Sequence, residues 1–298
     1  MEFRFRPQSE MGNSNQAERP ASVEYAKSRL EEAYQRSQKV LNKSRIDVEA
    51  HKDEFAQVYS VTEIERDLRE VEMLKSKFGS EVGDERKLGS VFEAILHEQI
   101  ELNEWLGAGA TTVKTSDYDD YVGGMDDIVE FERDEASLYM GLAIDATTSS
   151  DTAKKLQRIK KEIEQGVLPG IKYYRSSRTK EARELPNVPV LIIEARPETV
   201  MQLAELWVGR KNATLGRHRI RVQIIKEMLM QANYFKKFAI QCNKSGVARV
   251  YDSLIDRLEG ILATVDKKEV KDDGSIFNLE QDIQRVFGKM EASKTKAA

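Results

Sequence analysis

Two runs of this chain are apolar at nearly every position, and they constrain the fold more than any other feature. Residues 137–146 are almost entirely apolar up to Asp145, and residues 188–195 read Val-Pro-Val-Leu-Ile-Ile-Glu-Ala. A strand without polar alternation is typical of a central strand that is covered on both faces. Helical patterns flank both runs. The sequence therefore predicts an α/β (α+β) fold in which helices cover a mixed sheet.

The composition excludes several classes of protein. The chain has 298 residues, of which 40% are hydrophobic and 33% charged. It has no apolar run near the ~20 residues that a membrane span needs, and residues 1–20 lack the apolar segment of a signal peptide. Cys242 is the single cysteine, which excludes an internal disulfide and a zinc site built from several thiolates. We expect a cytoplasmic protein with no membrane association.

Five segments follow from the composition and periodicity of the chain. They are a disordered leader (1–21), an N-terminal helical region (22–79), a core (85–210), a C-terminal helical region (211–288) and a disordered tail (289–298).

The N-terminal region is predicted to hold two helices, at 22–57 and 61–78. Ser60 and Glu63 have the spacing of a capping box at the start of the second helix. The heptad pattern of the first helix is imperfect, so a coiled coil is one of two alternatives. A homodimer or a protein partner bound through these helices is the corresponding expectation.

The core is predicted to alternate between helices and strands. Its elements are a helix at 85–106, strands at 110–114, 127–132 and 137–146, a helix at 152–165, strands at 171–174 and 188–195, and a helix at 198–208. An acidic loop (115–121) and a basic connection (176–185) lie between them. Further helices at 218–241, 247–265 and 279–287 and a charged linker at 267–275 follow.

The charge is unevenly distributed although the net charge is only −4. Residues 117–135 hold nine acids against one base, and residues 171–250 hold sixteen lysines and arginines against six acids. Acids that bind a cation beside bases that bind a polyanion are typical of a metal-dependent enzyme acting on phosphodiesters. The alternative is that both runs are solvated surfaces.

Carboxylates lie at the ends of two neighbouring predicted strands. Asp126 and Asp127 begin one strand and Asp145 closes the next. A carboxylate pair of this kind binds a divalent cation through its oxygens. Adjacent strand residues point to opposite faces, so one of the first two faces the site. The spacing from Gly124 favours Asp126, the lead into Ile128 favours Asp127, and we prefer Asp126.

Basic residues supply the remaining candidates. On the helix at 152–165, Lys155 lies ~70° from the centre of the apolar stripe and Lys154 lies nearly opposite it. Lys155 is therefore expected to reach back to the sheet edge, where it would orient water or stabilise negative charge, with a plain surface lysine as the alternative. Lys154 is expected to face solvent. It joins three arginines as the candidate nucleic-acid contacts: Arg217, Arg219 and Arg221.

The order of elements, together with three local motifs, resembles the PD-(D/E)xK nuclease superfamily, whose restriction-endonuclease-like fold has an αβββαβ core. The resemblance covers residues 88–210. The motifs are Gly89-Ser-Val-Phe-Glu93, Gly124-Met-Asp126-Asp127-Ile-Val and Ile144-Asp145-Ala-Thr147. Thr147 stands where the family pattern has lysine, and Lys154 and Lys155 on the following helix are the expected replacements, of which the helical angle favours Lys155.

The resemblance implies Mg²⁺-dependent hydrolysis of DNA phosphodiester bonds, with Mn²⁺ as an alternative cation and RNA as an alternative substrate. It implies that Asp126 or Asp127, with Asp145, holds the cation. Glu93 matches the family's helix acid, but it lies ~140° from the centre of its helix's apolar face, which favours a solvated side chain. The same angle places His97 opposite that face, and we assign it no role.

Two alternatives to the nuclease remain. A catalytically silent protein of the same fold, which binds nucleic acid or a protein partner, is favoured by Thr147. A helical scaffold or interaction protein is the second, with the acidic stretch as solvated surface.

Overall fold

The computed structural model describes residues 18–77, 82–131, 140–147, 152–265, 276 and 278–288, without the side chains of 18–23 and 140–147. Its helices are α1 (Glu18–Ser44), α2 (Lys52–Phe55), α3 (Val61–Lys77), α4 (Asp84–Leu102), α5 (Asp117–Tyr121), α6 (Thr152–Gln165), α7 (Pro197–Val208), α8 (Asn212–Gly216), α9 (Ile220–Gln241), α10 (Ser245–Thr264) and α11 (Glu280–Phe287). Its strands are β1 (Ala110–Lys114), β2 (Asp127–Phe131), β3 (Met140–Thr147), β4 (Ile171–Arg175), β5 (Ala182–Leu185) and β6 (Val190–Glu194). The expected tail (289–298) and the linker at 267–275 lie outside the described residues, as does the leader apart from 18–21, where α1 begins.

The central sheet has four strands in the order β1-β2-β3-β6. Strands β1, β2 and β3 pair antiparallel, and β6 lies parallel to β3. The register aligns Lys114 of β1 with Asp127 of β2, and Asp127 with Ile144 of β3. A parallel pair needs a crossover, and here the crossover contains α6. The expectation of a mixed α/β fold that is rich in helices is confirmed.

Helices cover the sheet and close one of its edges. Helix α4 packs against β1 and β3, and Thr112 of β1 donates a hydrogen bond to the main-chain oxygen of His97 on α4. At the β6 edge, the Gln231 side chain of α9 donates to the oxygen of Ile192 and accepts a hydrogen bond from its nitrogen. This contact satisfies backbone groups that an edge strand otherwise exposes.

Helix α1 is part of this packed body because it lies along α4 and α7. The Arg36 guanidinium stacks 4.1 Å from the centre of the Trp207 ring and pairs with Glu98 at 3.3 Å. Leu30 and Ala33 are buried in the common core. A partner bound through the N-terminal helices stays a prediction, and it would have to use the outward surface of α1 or α3.

The predicted helix at 22–57 is wrong in its extent, because α1 ends at Ser44. Arg45 then forms a parallel bridge with Lys114, and the Ile46 nitrogen donates to the Lys114 oxygen. The chain leaves the helix to pair with the edge strand β1, a partner that is distant in sequence. Two connections also hold short elements: the acidic loop contains α5, and the basic connection contains β5.

Strands β4 and β5 form a separate hairpin that side chains attach to the rest of the molecule. The carboxylate of Glu130, buried on β2, accepts hydrogen bonds from the hydroxyls of Tyr174 and Ser177. Asp67 on α3 accepts a hydrogen bond from Tyr173 at 2.9 Å and pairs with Lys172. The hairpin is therefore held between the sheet and α3.

None of the helices in the described parts of the chain has the length and apolar character needed to cross a membrane.

Candidate active site

A fully buried lysine lies at the carboxyl end of β1. The Lys114 side chain is 0% exposed, and its Nζ lies 2.8 Å from Glu93 Oε1 and 3.2 Å from Asp120 Oδ2. Nζ also donates to the main-chain oxygen of Asp126 at 2.8 Å. A buried ammonium is costly unless it is paired in this way. The two acids come from α4 and α5, so the lysine joins three elements.

Arg45 adds a second cation to the same group. Its Nη1 lies 2.7 Å from Asp117 Oδ1 and 2.9 Å from Asp120 Oδ2. The guanidinium reaches these acids because the Arg45 backbone bridges to β1 beside Lys114. We call Arg45, Glu93, Lys114 and Asp120 the carboxylate–lysine cluster.

The local sequence explains how Asp120 reaches the cluster. Ser116 caps α5, because its hydroxyl oxygen accepts a hydrogen bond from the Asp119 nitrogen at 3.1 Å. The turn that follows has Gly124 at φ +61°, a conformation that favours glycine. Arg158 of α6 donates to the main-chain oxygens of Gly123 and Gly124 at 2.7 and 3.2 Å. These contacts hold the segment between α5 and β2 in place.

Burial and charge shift the pKa values of the cluster in different directions. Burial lowers the pKa of Lys114, but Glu93 and Asp120 outweigh it and the pKa is raised. Burial raises the pKa of Asp120, but Lys114 and Arg45 outweigh it and the pKa is lowered. The pKa of Glu93 is raised by burial and by the charges of Asp127 and Asp120, against the opposing effect of Lys114. Asp120 is therefore ionised, and Glu93 takes up a proton more readily than an ordinary glutamate.

The cluster borders a cavity of about 580 Å³ between α1, α3, α4 and α5. Glu93 and Asp120 line it together with three cations: Arg45, Lys75 and Arg86. Lys75 Nζ lies 2.8 Å from Asp117 Oδ2, so the acids of α5 also hold this lysine. A concave site that presents two carboxylates and three cations can accommodate a charged ligand.

The prediction of a solvated Glu93 is wrong, and His97, to which we assigned no role, is buried beside Asp127. The Glu93 side chain is 14% exposed and paired with Lys114. The His97 side chain is 9% exposed, and its Nδ1 lies 2.8 Å from Asp127 Oδ1. Burial lowers the pKa of His97, but the Asp127 charge outweighs it and the pKa is raised. Both side chains lie away from the apolar stripe of α4, and charged groups of β1 and β2 surround them.

Among the described side chains, the strand carboxylates Asp126 and Asp127 do not form a common site. Asp127, the first residue of β2, is buried and bound to His97, whereas Asp126 directly before the strand is half-buried. The backbone of Asp145 lies in β3, where its register partner is Ile192, and that of Thr147 pairs with Glu194. The side chains of Asp145 and Thr147 lie outside the described residues.

The two lysines of α6 have the exposure that the helical angle predicts, because Lys154 is exposed and Lys155 is half-buried. Lys155 is close enough to Glu194 to oppose the effect of burial, which raises the pKa of that carboxyl. The Thr152 hydroxyl donates to Glu194 at 2.7 Å. Since Glu194 pairs in register with Thr147, Lys155 lies near the strand end where the motif lacks its lysine.

The three candidate arginines lie at the other end of α4. Gly216, next to Arg217, approaches Asn103 so closely that an added Cβ would lie 2.4 Å from Asn103 Oδ1. Asn103 follows α4, ten residues after Glu93, which corresponds to about 15 Å along a helix. Arg217 and Arg219 are exposed, and Arg221 is half-buried and donates to the Gly216 oxygen. The structure does not bring this group to the carboxylate–lysine cluster.

The described side chains include no group of three or more His, Cys, Asp or Glu residues that could hold a metal ion. Glu93 Oε1 and Asp120 Oδ2 are at most 6.0 Å apart, because they lie 2.8 and 3.2 Å from the same nitrogen. Glu93 Oε1 is also buried without a hydrogen bond, although it is ion-paired. Mg²⁺ is commonly held by one or two carboxylates with water and substrate phosphates as further ligands. Glu93 and Asp120 could therefore supply two of the ligands of a Mg²⁺, and the remaining ligands would have to be water or substrate.

Sequence reasoning missed Lys114, Asp120 and Arg45. The signal for Lys114 was present, since a lysine ends the β-branched run Ala-Thr-Thr-Val-Lys directly before the acidic stretch. Nothing local signals Arg45, which arrives from the end of a long helix.

Comparison of the chain with known protein families, with curated proteins and with solved structures finds no match.

Proposed function

We propose that this chain has a restriction-endonuclease-like core and hydrolyses phosphodiester bonds of DNA with Mg²⁺ at the carboxylate–lysine cluster. The fold part rests on the order α4-β1-β2-β3-α6-β6 and on a mixed sheet in which β2 runs antiparallel to its neighbours. If α5 and the hairpin of β4 and β5 are treated as insertions, this order is consistent with the αβββαβ arrangement that the resemblance implies, and it supports the proposal.

One observation carries the functional part: two carboxylates that line a cavity together with cations also converge on a buried ammonium. This combination supplies both requirements of phosphodiester hydrolysis. Acids can bind the metal, and fixed positive charge can stabilise the phosphate as negative charge develops.

Each group has a distinct role in this proposal. Glu93 and Asp120 would hold Mg²⁺, and the ion would supply Lewis-acid stabilisation of the negative charge on the phosphate. Lys114 takes the part of the lysine missing at Thr147, because its ammonium is fixed beside both acids. Arg45 keeps Asp120 ionised and, with Lys75 and Arg86, attracts the phosphate backbone to the cavity.

The strand acids Asp126 and Asp145 remain proposed as further ligands. Asp127 is less suited to that role, since its carboxylate is buried against His97. Lys155 remains the second candidate for the catalytic lysine, and it lies near Glu194 at the end of β6.

A catalytically silent protein that binds nucleic acid is the second candidate function. It is favoured by the charge balance of the cluster, in which Lys114 and Arg45 already neutralise Glu93 and Asp120 without a metal. In that case the cavity binds a phosphate backbone, with an affinity that falls as salt is added.

A cleavage assay tests the proposal. Purified protein is incubated with supercoiled and linear DNA and with RNA, in Mg²⁺, in Mn²⁺ and in EDTA. We expect metal-dependent cleavage that falls at least about 100-fold in Glu93→Gln and in Asp120→Asn. Glu259→Gln, a change of the same kind at an exposed position on α10, is the matched control and should retain full activity.

Cleavage that persists equally in Glu93→Gln and Asp120→Asn would refute the assignment and indicate a contaminating nuclease. Salt-dependent binding of DNA without cleavage in any metal would support the silent alternative. Preferential cleavage of RNA would change the proposed substrate from DNA to RNA and leave the assignment of the site residues unchanged.

A further inference from the structure

A second cavity shares Arg45 as a lining residue with the first. Its volume is about 360 Å³, and its walls come from the end of α1, from α4, from β1 and from the segment that follows β4. The residues lining it include two of the three histidines of the chain, His51 and His97, and four further bases: Lys43, Arg45, Arg175 and Lys180. Arg45 is already paired with Asp117 and Asp120. Glu101 is the one carboxylate among its lining residues.

His97 lines this cavity, and a carboxylate holds its ring. Its Nδ1 is bound to Asp127 at 2.8 Å, its side chain is 9% exposed, and Nε2 makes no hydrogen bond with any described residue. A carboxylate on Nδ1 fixes the orientation of the imidazole ring. The imidazole ring is thus held in a fixed orientation by a residue outside the cavity lining.

The positive charge at the cavity is only partly balanced. Glu54 pairs with Arg175 Nε at 2.9 Å and with His51 Nδ1 at 3.1 Å, which orients both groups. Lys43 and Lys180 make no ion pair with the described residues. Several convergent donors with surplus positive charge suit a small polyvalent anion.

We propose that this second cavity binds a phosphate group. Phosphate accepts several charge-assisted hydrogen bonds at once, which matches lysine, arginine and histidine donors around one space. The site goes beyond the proposed hydrolysis, because it uses neither Glu93 nor Asp120 and needs no metal. The phosphate belongs either to a free phosphate or phosphorylated end, or to the backbone of a nucleic acid.

The test measures binding by the full-length protein in EDTA, so that metal-dependent chemistry does not contribute. Titration calorimetry uses three probes: inorganic phosphate, a short oligonucleotide with a 5′-phosphate and the same oligonucleotide with a 5′-hydroxyl. We expect Lys43→Gln and Lys180→Gln each to weaken binding about tenfold, equivalent to about 1.4 kcal/mol. Both lysines are exposed and lack ion-pair partners among the described residues, so these variants should fold normally.

Lys237→Gln, an exposed lysine on α9, makes the same change of charge away from the cavity and should leave the affinity unchanged. A preference for inorganic phosphate or the 5′-phosphate indicates a free or terminal group, and equal binding of both oligonucleotides indicates the backbone; either result supports the site. The absence of binding for all three probes, or an equal loss in Lys237→Gln, would overturn it. Repeating the titration with Glu93→Gln separates this result from the proposed hydrolysis, because that variant should still bind phosphate.

Discussion

Replacing Lys114 with methionine tests whether the buried ammonium holds the carboxylate–lysine cluster together. At an effective dielectric constant of 20, charges 2.8 and 3.2 Å apart attract by about 6 and about 5 kcal/mol. Desolvation of the buried ions offsets several kcal/mol per ion of this attraction. Removing one partner leaves the other charges buried without compensation, and the free energy of unfolding should fall by about 3–5 kcal/mol. Methionine fills most of the volume of the lysine stem, so little of this loss comes from a cavity.

The assay is urea denaturation followed by circular dichroism at pH 7. We expect the midpoint to shift to lower urea without a change in slope. The double variant Lys114→Met/Glu93→Gln should be more stable than Lys114→Met by at least about 1 kcal/mol, because it removes the acid that was left unpaired. Lys75→Met is the control, since Lys75 is 37% exposed and its ion pair should contribute no more than about 1 kcal/mol.

Two results would refute this reasoning. A loss below about 1 kcal/mol in Lys114→Met would mean that the ammonium is solvated in solution, contrary to its burial. Destabilisation by Glu93→Gln that simply adds to that of Lys114→Met would mean that the two side chains are not coupled.

Two further predictions concern the surroundings of the cluster. Gly124→Ala should lower stability by about 1–3 kcal/mol, because φ is +61° and a Cβ would lie 2.4 Å from Arg158 Nη1; an unchanged urea midpoint, with Gly246→Ala as the unstrained control, would contradict it. The pKa of His97 is raised above 6.5, so its contribution to stability is fully present below that pH and is lost as the pH rises through the folded-state pKa. The free energy of unfolding should therefore fall between pH 6 and pH 8.5, and it should fall more in the native protein than in His97→Asn. An equal fall in both proteins would refute the pairing of His97 with Asp127.

Local patterns predicted much of the fold. Strand β1 at Ala110–Lys114 and helix α6 at Thr152–Gln165 have the expected bounds. Ser60 caps α3 as the capping-box spacing indicated, since the Glu63 nitrogen donates to its hydroxyl at 3.2 Å. These features depend on periodicity and on contacts within a few residues, which a single sequence contains.

Contacts between distant segments explain what local patterns missed. The break of the first helix at Ser44 depends on a bridge from Arg45 to β1, 69 residues later. The hairpin of β4 and β5 depends on Glu130 and Asp67, which bind it from other elements. No rule based on neighbours along the chain contains these partners.

The candidate site divides in the same way. The sequence alone determined a mixed α/β chain with acids at strand ends, and it correctly distinguished exposed Lys154 from half-buried Lys155. Only the tertiary structure decided that Glu93 is buried. The helical angle measures how far a residue lies from one apolar stripe, but α4 is covered on more than that stripe because it also packs against α1. The side of α4 that carries Glu93 faces Lys114, and the ion pair between these two residues offsets the cost of burying both charges.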